Sequence, residues 1–594
     1  MKLTTLRLSL WLTGLLLAAC GSAVQQQGPY VLRDSLVYYR GNLPNVVRTH
    51  LISDPQELHP VNGVRATRFE VLDLCYQRLH SIHPETGALV PELAALPERS
   101  ADGLAYTFSL QPEAAWPDGS PITASDALFS YKVLLVPGVN NPAIQPYTEY
   151  LKDLTADPED PRRFTAHFSE YYMNNDNFGI FTYVIDARFY DPEGVLEGYS
   201  VADLKALTEA ENLPEDLSAW VETFNDPQYA TTVDLIQNGS GPYRVTEWIP
   251  EQRIVLSRNP AYWGAGRPEA IHQQHPEQIQ FEMITDGKAV ELQLLQQELD
   301  VSTNLSPQAY LNLMRDSTAR LHYHLGLRPR DAFTSLALNL RPDGIRQARI
   351  LDDVQVRQAI AYSLPLQDII DQVLDSMAQP ASSPVSPSNS LYNDTLLPYP
   401  YAPDEARARL DAAGWTDADG NGIREKEIDG KTQELRIRFA YPPGNDLVDG
   451  LAQRIKEGLE AVGMAIELDP APDYQRQIQQ HTFEMALLSL RSSPFPYDFK
   501  QLFHSEGWPN GSNFFGFANA RADQLIDQMR VETDPVRRLD MANQIQEILA
   551  RELPVIPLYV PTKKIAIHRR FNHAQMYPIA NYVILNDLYL LKEE

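Results

Sequence analysis

Tyr106, Phe108 and Leu110 alternate with Ala105, Thr107 and Ser109, the two-residue period of a strand with one buried face. Pro117-Asp118-Gly119-Ser120 is turn chemistry, because proline presets φ and glycine tolerates φ > 0. Thr123 stands three residues before Asp126, a capping-box spacing that opens a helix through Leu128, Phe129 and Tyr131. Further on, Leu447, Leu451, Ile455 and Leu459 form a helical stripe ended by Gly463. Leu435, Ile437 and Phe439 alternate before that stripe and Met464, Ile466 and Leu468 after it, so the stretch predicts a βαβ-type unit. The pattern also predicts strands near 279–284, 333–339 and 483–490, and helices over 66–79, 289–295 and 406–413. Asp534-Pro535 caps another helix, running to Leu549. The mixture predicts an α/β class.

Composition narrows this. A chain of 594 residues exceeds one hydrophobic core and predicts two to four domains. The net charge of −28 repels nucleic acid and anionic lipid surfaces, so nucleic acid is excluded as a main partner. With only two cysteines, Cys20 and Cys75, there is no disulfide framework. Cys75 lies in an apolar helical stretch and is expected to pack as a small hydrophobe. Cys20 differs: Lys2 and Arg7 precede an uncharged run that ends Leu17-Ala18-Ala19-Cys20. A basic start, a short apolar run and small residues before the cut describe a secretory signal. The last four residues are similar to the lipobox of bacterial lipoproteins. That resemblance implies cleavage after residue 19, acylation of Cys20, a tether over 20–34, and a periplasmic or cell-surface protein anchored in a lipid bilayer.

Three local features invite chemistry. His80 and His83 lack further nearby ligands and read as solvated or capping residues. Gly239-Ser240-Gly241 lacks the Lys-Ser/Thr of a phosphate loop and reads as a turn. Asp417, Asp419 and Asn421, with Gly422, match the first six positions of a calcium loop. The twelfth position is Ile428, however, leaving Glu425 or Glu427 as substitutes; the alternative is an acidic hairpin turn. No nucleophile–base pair, H-E-x-x-H or Cys/His cluster occurs in sequence, so neither an enzyme nor a cofactor is expected.

A series of motifs in order resembles the family-5 extracellular solute-binding proteins, the oligopeptide, dipeptide and nickel receptors of ABC importers. It includes Asp54-Pro55 with Leu58 and Pro60, the 102–131 segment, Gly241-Pro242-Tyr243, Arg258-Asn259-Pro260 with Tyr262-Trp263, Glu298-Leu299-Asp300-Val301, Val356-Arg357-Gln358-Ala359, Gly414-Trp415 and Leu553–Tyr559. The resemblance implies a periplasmic-binding-protein-like α/β fold, two lobes with three domains joined by a two-strand hinge. Domain I would take residues 35–65, 229–332 and 560–594, domain II 66–228, and domain III 333–559. It also implies a monomer that closes on a peptide or other small solute and presents it to a membrane permease. Where oligopeptide receptors carry a Trp and then an Asp for the peptide's amino terminus, this chain reads Arg491-Ser492-Ser493-Pro494, with Asp498 displaced. Arg491 is read as a fork for a ligand carboxylate or phosphate, or as an interlobe salt bridge. Tyr147, Tyr150, Ser493, Tyr497, Trp508 and Tyr559 complete the candidate ligand wall. An opine, an oligosaccharide or a chelated metal remains open as solute, as does a sensor or chaperone role without transport.

Overall fold

The computed structural model describes residues 30–33, 36–39, 44–63, 65–139, 148–209, 212–341, 350–491, 495–509, 511–579 and 581–591. Two four-stranded sheets organise the first half of the chain. In one, Tyr243–Ile249, Arg253–Arg258 and Gln278–Met283 run antiparallel, and Val46–Leu51 joins in parallel at the edge. In the other, Ala105–Ser109 pairs with Glu98–Arg99 and Arg163–Phe168, and Leu151–Ala156 closes the far side. Its burial alternates as the sequence predicts, with Tyr106 and Phe108 inside. Phe108 stacks on Phe164 at 5.0 Å, and the Thr123–Asp126 capping box opens the helix Ala124–Val133.

The first predicted helix is shorter than 66–79. It covers Arg68–Cys75, and Tyr76 is already extended because Gly239 and Gly241 press against the helix end. A Cβ on Gly239 would lie 2.1 Å from the Cys75 carbonyl oxygen, and Gly241 N donates to that oxygen at 2.8 Å. The Gly-Ser-Gly run is therefore a close-approach device as well as a turn. Cys75 is buried. His80 corrects an expectation: it is fully buried against Phe108, its Nε2 2.9 Å from Ala95 O, while only His83 is a turn residue.

The second half builds the other lobe. Ala332–Leu338, Met485–Arg491, Arg436–Tyr441 and Ala465–Pro470 are adjacent in one sheet, and Asp446–Glu460 links the last two, which run parallel, as the βαβ reading predicts. Ala332–Leu338 alternates in sequence, yet all seven residues are buried, because helices cover one face and aromatic residues the other. The strand expected near 553–559 is longer. Val555–His568 pairs first with Ala332–Leu338 and then with Tyr323–Pro329, so it belongs to both lobes.

A half-buried polar seam holds Arg78, Asp73 and the buried Glu92: Arg78 Nη2 lies 2.8 Å from Asp73, and Arg78 N donates to Glu92 Oε2 at 3.2 Å. Burial pushes the Glu92 carboxyl up to about 8 despite the pull of Arg78. The folded state thus keeps a proton that the unfolded chain, with a carboxyl near 4.5, releases. Stability is expected to fall as pH rises across that interval, by at most about 1.4 kcal/mol per pH unit. Urea unfolding of wild type and Glu92→Gln across the same range checks this, and equal slopes for both proteins would refute it.

Candidate binding site between the lobes

At the crossing, Arg330-Asp331 joins Tyr323–Pro329 to Ala332–Leu338, and Arg330 N donates to Pro561 O at 2.9 Å. Charged side chains converge there from both lobes. Asp331 is half-buried and accepts from Ser388 Oγ; burial raises its carboxyl, opposed by that hydrogen bond and by Arg491. Lys563, on the crossing strand, donates to Asn304 Oδ1 and lies 5.6 Å from the Tyr582 ring. Burial lowers its ammonium pKa, Arg330 and Arg491 lower it further, and Glu70 opposes them. Burial likewise raises Glu70, on the helix Arg68–Cys75, against the pull of Lys563. Arg491 ends its strand opposite Ala332, exposed, and forms no ion pair among the described residues. The arrangement offers cationic forks and two reluctantly ionised carboxyls in the neighbourhood of the crossing, chemistry suited to holding a zwitterion or an anion.

A second contact joins the lobes farther out. Arg530, on the helix Ala520–Val531, keeps 8% of its side chain exposed. Its Nε donates to Asp498 Oδ2 at 2.9 Å, its Nη1 to Tyr150 Oη at 2.8 Å and its Nη2 to Glu149 at 3.4 Å. The guanidinium also lies over the rings of Tyr150 and Tyr172, at 5.5 and 5.0 Å. Tyr172 Oη donates to the same Asp498 oxygen at 2.9 Å, Met173 N to Arg530 O at 2.8 Å, and Arg538 Nη2 to Tyr171 Oη at 2.7 Å. Phe181 meets Phe495 edge-on at 6.3 Å.

The remaining candidates are dispersed. Tyr150 belongs to this clasp. Tyr497 is buried against Phe499 at 4.9 Å, and Tyr559 lies in the second lobe's core. Trp508 is half-buried on His481 at 4.3 Å, near Arg341. Cys20, Tyr147 and Ser493 lie outside the described residues. Sequence reasoning missed Arg530, Tyr172, Lys563 and Glu70. Only Arg530 leaves a trace: it sits four residues after Ile526, on the buried face of its helix, where a charge signals a partner. In the calcium-like loop, Asp417, Asp419 and Glu425 each bring an oxygen within 4.8 Å of the others. Asn421 is turned to its own loop, with Nδ2 on Asp419 and Oδ1 accepting from Ile423 N. The two aspartates and Glu425 could hold a hard divalent cation.

Residues 88–549 match the family described as bacterial extracellular solute-binding proteins, family 5 Middle. The chain belongs to that family. The oligopeptide-binding protein AppA of Bacillus subtilis is 24% identical over 483 residues, 80% of this chain and 79% of that protein. The structure of AppA with a nonapeptide superposes with a TM-score of 0.69 and 21% identity, covering 93% of this chain and 100% of that one. NikA of Brucella suis with Fe(III)-EDTA gives 0.72 and 20% identity, over 92% and 99% of the two chains. This family-5 protein is thus a two-lobed solute-binding protein, not an enzyme. Among the described residues no helix is long and apolar enough to cross a membrane.

Removing Arg530 strands the Asp498 carboxylate, whose side chain is 15% exposed. Arg530→Met is expected to lose about 3–5 kcal/mol, and Asp498→Asn in the same chain to restore part of it. Urea unfolding of the single and double variants measures both; a loss within about 0.5 kcal/mol for Arg530→Met would mean the clasp contributes as little as an ordinary surface contact.

Proposed function

We propose that this family-5 protein is the extracytoplasmic receptor of an ABC importer, acylated at Cys20, which captures peptides or peptide-like solutes by closing its two lobes. The observation that carries this reading is the crossing itself: charged groups from both lobes meet beside the strands that connect them. The names of AppA and of the dipeptide-binding protein of Escherichia coli agree with it. In this reading domain I comprises 35–65, 229–332 and 560–594, domain II 66–228 and domain III 333–559. The chain acts as a monomer and needs no cofactor.

Asp498 is engaged by Arg530 and Tyr172, so a peptide ammonium has to be met elsewhere, with Asp331 and Glu70 as the acids nearest the crossing. Arg491, Arg330 and Lys563 would receive a carboxylate or another anionic group. This surplus of cations favours, as a second reading, an acidic solute such as an opine over a neutral oligosaccharide.

Mass spectrometry of small molecules released from the full-length protein, purified from a cell envelope, tests the reading. Peptides or acidic amino-acid derivatives are expected, and Arg491→Ala should weaken rebinding of the released compound at least about tenfold, the value of one charge-assisted hydrogen bond. Recovery of uncharged sugars alone, or unchanged binding by Arg491→Ala, would overturn the anionic assignment. Cys20→Ser should move the protein from the membrane to the soluble fraction, and retention in the membrane would remove the lipid anchor from the scheme.

A further inference from the structure

A side-chain cluster takes no part in the crossing or the clasp. His275 precedes the strand Gln278–Met283, whereas His573 and Asp587 belong to the C-terminal segment. His275 Nε2 lies 3.6 Å and His573 Nδ1 3.1 Å from Asp587 Oδ1, and one ligand atom from each residue falls within 4.8 Å of the other two. Zinc–ligand bonds of about 2.0–2.2 Å put neighbouring tetrahedral ligands roughly 3.3–3.6 Å apart. The two measured edges bracket that spacing.

The cluster is held from behind. Asn586 is buried, and its Nδ2 is shared by the carbonyls of Ala270, Ile271 and Gln273 at 3.0, 3.2 and 3.0 Å. Its own carbonyl accepts from His275 N at 3.1 Å. The His275 carbonyl takes Asn45 Nδ2 at 2.5 Å and Arg258 Nη2 at 2.8 Å. Tyr589 packs on the His275 ring at 5.4 Å. His573 is set by the two-stranded pair Phe571–Asn572 with Tyr589–Leu590, and it occupies the left-handed region at φ +57°. The Asp587 side chain is 13% exposed and its ionic partners among the described residues are the two imidazoles, with no Lys or Arg in reach. An ordinary surface ion pair needs one imidazole. Two converging on one shielded carboxylate, with His573 half-exposed and open to water, make a three-ligand set with a free fourth position.

We propose that His275, His573 and Asp587 bind a divalent first-row transition ion of the zinc type, which ties the C-terminal segment to the sheet of the first lobe. Imidazole with carboxylate suits such ions better than calcium or magnesium, whose ligands are oxygens. The site is separate from solute capture and from the Asp417 loop.

The test uses the untagged full chain, stripped of metal with a chelator and titrated with zinc alone. Calorimetry with metal analysis should give one equivalent that His573→Ala and Asp587→Asn each weaken at least about tenfold, while Asp419→Ala leaves it unchanged. Zinc should raise the melting temperature of wild type but not of His573→Ala, and cobalt in place of zinc should give the visible absorption of a four-coordinate site. His573 is half-exposed, so its variant is expected to fold; a metal-free melting temperature equal to wild type verifies this. Zinc binding that survives His573→Ala, or is lost only with Asp419→Ala, would overturn the proposal, as would the absence of any saturable binding.

Discussion

Everything in this molecule turns on one ladder of backbone hydrogen bonds. Val555–His568 spans about 45 Å at strand rise, and its partners change along its length, from Ala332–Leu338 in one lobe to Tyr323–Pro329 in the other. A strand cannot leave one sheet and enter another without leaving polar groups unpaired, unless the partner hairpin crosses with it. Arg330-Asp331 makes that crossing, and Arg330 N keeps its bond to Pro561 O. The connection is therefore narrow and hydrogen-bonded on both sides of the crossing, so it joins two cores without opening either.

The clasp bears on that motion. A ligand shifts a two-state equilibrium only by the difference in its affinity for the two states. Arg530, Asp498, Tyr150 and Tyr172 join the lobes directly. Their contacts lower what a solute must contribute to hold the lobes together. They also engage the Asp498 carboxylate, whereas Arg491 at the crossing forms no ion pair among the described residues.

Local elements were legible in the sequence where one face is buried. The 105–109 strand, its capped helix and the 436–470 βαβ unit follow from alternation, capping and a helical stripe. Helix Arg68–Cys75 was over-extended because its end is set by Gly239 and Gly241, more than a hundred and sixty residues away. His80 was misread for the same reason: its burial comes from Phe108 and Ala95, which adjacency in sequence does not reveal. Glu298-Leu299-Asp300-Val301 was matched as a motif, yet its role appears only when Asp300, wholly buried, meets Arg570 at 2.6 Å. The groups at the crossing come from residues 70, 331, 491 and 563, so no spacing rule could gather them.

Charge gives the last step. The chain carries −28, yet the crossing gathers Arg330, Arg491 and Lys563 against Glu70 and Asp331. The distributed acidity acts over a Debye length of about 8 Å at physiological salt, beyond which it is screened. In the proposed reading a solute between the lobes would meet these cations at shorter range, where Coulomb attraction is stronger. Global and local charge therefore do different work. The acidic surface discourages nonspecific polyanions, whereas in the proposed reading the cations at the crossing would act only on small solutes close to them. An exposed guanidinium such as Arg491 is available to an anion only while no protein carboxylate neutralises it, and at this crossing it forms no ion pair among the described residues.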